Sequence, residues 1–245
     1  MKSCAFQKRT YRNWAKEKDL IHTTLSIRET DLQILSDKPL NQTALKARIR
    51  RLRGDIESYI QKDNRFLVSL KPVPVELNAK PIIKSMAQAA FKTNVGPMAA
   101  VAGAIAQYLG RYLLKEGLKE VIIENGGDIF LRTKKIRYVG IYAGRSSAFN
   151  NKLFLKIKPQ ARGLGICASS GTVGHSLSFG KANALVIIAK NAILADAAAT
   201  ACANLVRCKA DTAKAIQLAR KIKGVSGIIV IINNNMACWG DIEFK

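Results

Sequence analysis

A carboxylate and a hydroxyl stand four residues apart in the alanine-rich stretch Ala195-Asp196-Ala-Ala-Ala-Thr200. On a helix that spacing puts both side chains on one face. Hard oxygen donors of this kind suit Mg2+, which keeps several waters or substrate oxygens in its octahedral shell. The plainer reading is that Asp196 complements the positive start of its own helix while Thr200 bonds back to a carbonyl. A second cluster, Glu124-Asn125-Gly126-Gly127-Asp128, sets two acids around an Asn-Gly-Gly turn between apolar runs. Glycine supplies the positive φ of a tight hairpin, so a hairpin is the first expectation and a ligand or metal neighbourhood the second. The third cluster, Ala168-Ser169-Ser170-Gly171-Thr172-Val-Gly-His175-Ser-Leu-Ser-Phe-Gly180, alternates small hydroxyl residues with glycines. Backbone N–H groups in such a loop can cradle an anion, and Ser or Thr can add hydrogen bonds. The loop lacks the ending of a Walker A motif and the Gly-x-Gly-x-x-Gly fingerprint. His175, one of two histidines, reads more simply as a polar loop residue than as a general base.

Apolar periodicity supplies the elements that must position these clusters. Short β-like stretches fall at Ile21–Ile27 and Leu32–Leu35, followed by an amphipathic helix over Asn41–Gln61 with Leu45, Ile49, Leu52, Ile56 and Tyr59 on one face. A proline-containing link, Lys71–Glu76, leads to a helix near Pro81–Phe91. A second helix, alanine-rich and expected to be buried, starts after Gly96-Pro97 and runs to Lys115, since proline favours the first helical position. Strands follow at Glu120–Glu124 and Asp128–Arg132, then apolar runs at Ile136–Tyr142, Leu153–Ile157, Gly165–Ala168 and Ala184–Ala189. Helices near Ile193–Val206 and Thr212–Ile222 precede a closing hairpin, Gly227–Ile232 with Met236–Ile242. Strands joined by tight turns and interrupted by paired helices predict an α+β fold, an antiparallel sheet with helices packed on it, in a single domain over 1–245.

The chain has 245 residues and a formal net charge of +23. That charge invites a nucleic-acid reading, and the densest run, Lys46 to Arg53, lies on the amphipathic helix. Charge without a readout motif supports only the sequence-independent electrostatic term. A basic surface that steers a small anionic cofactor or nucleotide accounts for it equally well. The five cysteines form no Cys-x-x-Cys pair and no zinc spacing, which fits free thiols in a reducing compartment. With no apolar run long enough to span a membrane and no signal-like start, the expectation is a cytoplasmic protein. A homo-oligomer is compatible with the sequence.

Taken in order, Asn125-Gly-Gly-Asp128, Ser169-Ser170-Gly171 and the helix Ala195-Asp196-Ala-Ala-Ala-Thr200 resemble the ApbE family of FAD:protein FMN transferases. The stretch Val95-Gly96-Pro-Met98-Ala-Ala occupies the place of that family's glycine-rich helix start. The resemblance implies the ApbE-like variant of the tunnelling fold (T-fold). It implies Asp196 and Thr200 as Mg2+ ligands. It places FAD or FMN against Gly96, Met98, Asn125, Gly126, Gly127, Asp128, Ser169, Ser170, Gly171, Thr172 and His175. Two family features are missing, an Asp-Pro-x-Thr-Gly loop before the last β-run and a lysine at the helix start. Three functions follow: a Mg2+-dependent enzyme acting on a flavin or other anionic cofactor, a flavin- or pterin-binding protein without the transfer chemistry, and an electrostatic nucleic-acid binder.

Overall fold

The computed structural model describes residues 17–144, 149, 153–170 and 180–245. In chain order its elements are β1 (Ile21–Ile27), β2 (Thr30–Ser36), α1 (Gln42–Lys62), the short α2 (Arg65–Val68), α3 (Pro81–Thr93) and α4 (Val101–Lys115). Then come β3 (Val121–Asn125), β4 (Asp128–Thr133), β5 (Arg137–Gly140), β6 (Phe154–Ile157), β7 (Gln160–Ser169) and β8 (Ala184–Ala189). The chain continues with α5 (Ala192–Ala203), α6 (Thr212–Lys221), β9 (Val225–Ile232), β10 (Asn235–Gly240) and β11 (Glu243–Phe244). Eight strands form one sheet in the order β1-β2-β3-β4-β7-β8-β9-β10, and its ladders are all antiparallel. A second sheet of three strands, β11-β6-β5, was not anticipated from the sequence.

The two sheets and the helices make three layers, and the strand sequences show why. On β8, Leu185, Ile187 and Ala189 enter the helix-side core, while Ala184, Val186 and Ile188 enter the core shared with the small sheet. All six residues are buried, as a continuous apolar run requires when both faces are covered. β3 behaves likewise: Val121 and Ile123 meet the helices, and Ile122 meets the other core. Each such aliphatic side chain contributes roughly 1.5–3 kcal/mol by leaving water.

Local signals set the helix boundaries. Asn41 caps α1 by accepting the Ala44 N–H at 3.0 Å, and Leu45, Ile49, Leu52 and Ile56 form the buried stripe. Pro81 opens α3, and Asn94 ends it in the left-handed region with φ of 55°. The helix expected from Pro97 to Lys115 is divided: Pro97–Ala100 is a 3-10 turn, and α4 begins at Val101. Gly96 is pressed onto the chain after α2, where a Cβ would stand 1.7 Å from the Ser69 carbonyl oxygen. The expected strand Gly165–Ala168 is really the end of a ten-residue strand, β7. Its first half, Gln-Ala-Arg-Gly, reads as a turn because Gly163 has φ of 86°, where the Phe130 ring leaves no room for a side chain.

A buried ion cluster joins the small sheet to the start of the described chain. Arg137 on β5 is 2% exposed, and its guanidinium donates to Glu17 at 2.8 Å, to Asp19 at 2.6 Å and to Glu120. Hydrogen bonds from Arg137 and Lys135 hold the Asp19 carboxyl well below the usual carboxylate range. No helix among the described residues is long and apolar enough to cross a membrane.

Candidate functional site

Two elements carry the acids of the candidate site: the β3–β4 hairpin and α5. Gly126 and Gly127 form the two-residue turn with φ of 70° and 103°, the paired positive values of a type I′ hairpin. The Gly127 N–H donates to Glu124 Oε1 at 2.7 Å, and Asn125 Nδ2 donates to the Ala102 carbonyl at 3.1 Å, tying the hairpin to the start of α4. Directly after the turn, Asp128 is buried on the helix side of the sheet, opposite Cys167 on β7. Ser169 lies two residues further along β7, so the strand alternation brings it to the same face as Cys167. Both are deeply buried, and neither Asp128 Oδ1 nor Ser169 Oγ has a hydrogen-bond partner among the described residues. The neighbouring Ser170 Oγ donates to the Asn183 carbonyl at 2.8 Å.

The approach of α5 is fixed at one peptide. The Ala192 N–H donates to Gln107 Oε1 at 2.7 Å, and the Cys167 thiol donates to the Ala192 carbonyl at 3.4 Å. Two glycines let the chains this close. A Cβ on Gly103 would stand 2.3 Å from the Ala192 carbonyl oxygen, and one on Gly165 would stand 2.4 Å from the Ala192 nitrogen. One turn on, Asp196 Oδ2 accepts the Gly103 N–H at 2.9 Å. Gly103 is the third residue of α4, so Asp196 satisfies one of the orphan donors of a neighbouring helix. Its own helix is capped by Asn191, which accepts the Leu194 N–H at 2.8 Å. The sequence reading of Asp196 as a carboxylate at the start of its own helix is therefore corrected.

Asp196 and Thr200 share a second property. They are the two residues of α5 that keep partial contact with solvent, while the other ten are buried. A helix this apolar belongs inside a protein, and its one half-open edge carries both oxygen-bearing side chains.

Burial dominates the electrostatics. It pushes the Asp196 carboxyl up to about 7, against the pull of the Gly103 and Ala102 N–H groups. Asp128 is raised well above its ordinary value, first by burial and then by the charge of Asp196; the Cys167 thiol opposes this and Glu124 adds to it. The Cys167 thiol is itself pushed up, by burial and by the adjacent acids. Both carboxyls thus hold a proton more readily than ordinary acids, chiefly because they are buried.

The structure sets Asn125, Gly126, Gly127 and Asp128 in one hairpin, Ser169 two residues beyond Cys167 on the neighbouring strand, and Asp196 near Asp128, with Thr200 one turn from Asp196. Gly96 caps the 3-10 turn leading into α4 and half-buried Met98 lies within it, seven and five residues before Gly103. Gly171, Thr172 and His175 lie outside the described residues. Sequence reasoning passed over Gln107, which breaks an apolar run and looked like its end; it is 2% exposed. It also passed over Gly103, Gly165 and Cys167, because close approach between segments distant in the chain leaves no local signature.

Comparison with known proteins gives the chain a family and a fold. A family model described as AbpE bacteria matches residues 12–232. A UPF0280 protein of Methanococcus aeolicus is 40% identical over 227 residues, covering 91% of each chain. Another, of Methanocella arvoryzae, is 39% identical over 214 residues, 87% of this chain and 86% of its own. The solved structure of Pseudomonas stutzeri flavinyl transferase ApbE, apo form, is similar with a TM-score of 0.61 at 10% identity, covering 90% of this chain and 94% of that one. Flavin transferase ApbE from Vibrio cholerae gives 0.60 at 13% identity, with 90% and 96% covered. The two solved structures establish a shared fold, and the family model together with the UPF0280 relatives establishes kinship: the chain belongs to the AbpE bacteria family, the ApbE type that its three motifs resemble.

Proposed function

We propose that this protein is a Mg2+-dependent enzyme acting on a flavin nucleotide, FAD or FMN, held where Asp128, Ser169 and Asp196 converge. The observation that carries the reading is a pair of buried oxygens, Asp128 Oδ1 and Ser169 Oγ, without a hydrogen-bond partner among the described residues, on adjacent strands and with a second acid near Asp128. Buried polar atoms are nearly always bonded, so two of them on neighbouring strands favour a ligand that completes the set. The flavin identity is drawn from the named function of the ApbE proteins that share the fold.

The donor set fits Mg2+. Two carboxylates and the Thr200 hydroxyl are hard oxygen ligands, and Asp128 Oδ1 is an acceptor in want of a partner. Among the described residues no three His, Cys, Asp or Glu side chains form a ready cage, which suits an ion that fills its shell with ligand phosphates and water. When bound, Mg2+ supplies a Lewis acid at a phosphoryl oxygen. The Gly103 N–H keeps the Asp196 carboxylate in one orientation, and the Ser169 hydroxyl offers a donor to an anionic oxygen. The glycine turn at 126–127 lets the hairpin backbone approach a flat ligand without side chains in the way.

A second reading, a flavin- or pterin-binding protein without transfer chemistry, is favoured by one observation: the Asp196 carboxylate already serves α4. Calorimetric titration of FAD and FMN into the purified protein, with and without Mg2+, tests both, alongside chromatographic assay for AMP released from FAD. Mg2+-strengthened binding with AMP release supports the enzyme. Tight binding indifferent to Mg2+, without turnover, supports the second reading, and no flavin binding under either condition sinks both.

A further inference from the structure

The run Lys46 to Arg53 places five basic residues on α1, and one of them, Arg53, is neutralised, by Glu29 and Glu57. Lys46, Arg48, Arg50 and Arg51 have no ion pair among the described residues. Arg48 instead lies over the Tyr112 ring of α4 at 5.4 Å from the centroid, which joins a second basic edge to the first. On that edge Arg111 and Lys115 are exposed and likewise carry no ion pair among the described residues. Six of the chain's 40 Lys and Arg residues therefore share this surface without an ion pair among the described residues. α1 packs on α3 and α4, whereas Asp196 rides on α5, so this is a surface apart from the acidic site.

We propose that the outward face of α1, with the adjoining edge of α4, is a docking surface for the phosphodiester backbone of a nucleic acid, bound without regard to base sequence. The composition of the face selects this partner. Its exposed residues include Thr43, Ala47, Arg50, Arg51, Ser58 and Gln61, with no large apolar side chain among them. A protein partner needs a buried aromatic or aliphatic anchor at the centre of its interface. A membrane surface needs an apolar face to enter the acyl boundary. Phosphates need neither; they need positive charge in a row and small neighbours that let a backbone come close. Arginine outnumbers lysine in the run, and its planar fork matches phosphate oxygens two at a time. At 21 residues the helix is about 31 Å long, enough to run beside many phosphates of a duplex that carries one charge per ~1.7 Å of axis.

The test uses the full chain and a fluorescein-labelled 20-base-pair DNA duplex in two unrelated sequences, read by fluorescence anisotropy across a salt series. The triple variant Lys46→Gln, Arg50→Gln, Arg51→Gln removes three charges from the face. Lys190→Gln, Lys221→Gln, Lys223→Gln removes three from exposed positions near the β8–α5 and α6–β9 connections. Thermal unfolding establishes that both variants fold. The two sequences should bind alike. The α1 triple should lose roughly tenfold in affinity at 0.1 M salt, and its log K against log salt slope should shrink by about 2 to 3. The control should stay within about twofold. Equal losses in both triples would overturn the proposal, since the charge would then act as a whole. Competition by polyglutamate equal to that by DNA, charge for charge, would assign the face to an acidic protein instead. Absence of DNA binding at 50 mM salt would end the idea outright.

Discussion

Replacing Asp196 by Asn separates its structural and chemical roles. Asn keeps an oxygen for the Gly103 N–H but cannot ionise. In the wild type, burial lifts the Asp196 carboxyl from an ordinary 3.8 to about 7. Three units at 1.36 kcal/mol each make roughly 4 kcal/mol, and water at the half-open edge of α5 reduces the expectation to about 2–4 kcal/mol. The sign follows from proton counting. Between pH 4 and 7 the folded protein keeps a proton that the unfolded chain has released, so the folded state loses stability as pH rises through that window. Above pH 7 the loss is complete. Asp196→Asn should therefore match the wild type near pH 4 and exceed it by about 2–4 kcal/mol at pH 8, in EDTA. Urea unfolding from pH 4.5 to 8.5 measures this. Adding Mg2+ with FAD should then raise the stability of the wild type, as a ligand of the folded state must, and leave the variant unmoved. A stability difference that stays flat with pH would refute the reasoning, because Asp196 would then titrate as an ordinary surface carboxylate.

Gly103→Ala would place a Cβ 2.3 Å from the Ala192 carbonyl oxygen and pry α4 from α5. We expect a loss of about 1–3 kcal/mol and a melting point lower by about 2–4 °C for each kcal/mol, read by calorimetry. Arg137→Ala would leave Glu120 buried with its charge uncompensated and should cost about 3–5 kcal/mol. Chemical denaturation reports the loss, and a cost under 1 kcal/mol would mean that the cluster is already solvated.

Sequence patterns located most strands and every long helix because each carries its own period. The hairpin at 124–128 was legible from two glycines, and α5 from an alanine run that only burial tolerates. What escaped were features written in two places at once. β5 and β6 looked like ordinary apolar runs, and nothing in them announced a separate sheet or its docking through Arg137 to Glu17 and Asp19. The oxygen pair at Asp196 and Thr200 was visible from helical spacing, yet the partner of Asp196 was not. That partner is a backbone N–H 93 residues away along the chain, and it is reachable because Gly103 lacks a side chain. Ser169 stood out as a loop hydroxyl, but its burial beside Asp128 depends on the β4–β7 register.

The bond from Gly103 to Asp196 has a bearing on descent. An oxygen that accepts the Gly103 N–H and holds the start of α4 is under selection for folding whether or not the protein still performs chemistry, and an amide serves that purpose as well as a carboxylate. A lineage that gave up catalysis could therefore exchange Asp196 for asparagine, keeping the bond to the Gly103 N–H and shedding the cost of burying a charge. Thr200 has no such second employment: it lies on the same half-open edge, and among the described residues no side-chain bond ties it to another helix. Among relatives, then, an aspartate kept at position 196 where asparagine would serve the fold points to a use for its charge. On the proposed metal site, the residue at 200 is a second such marker.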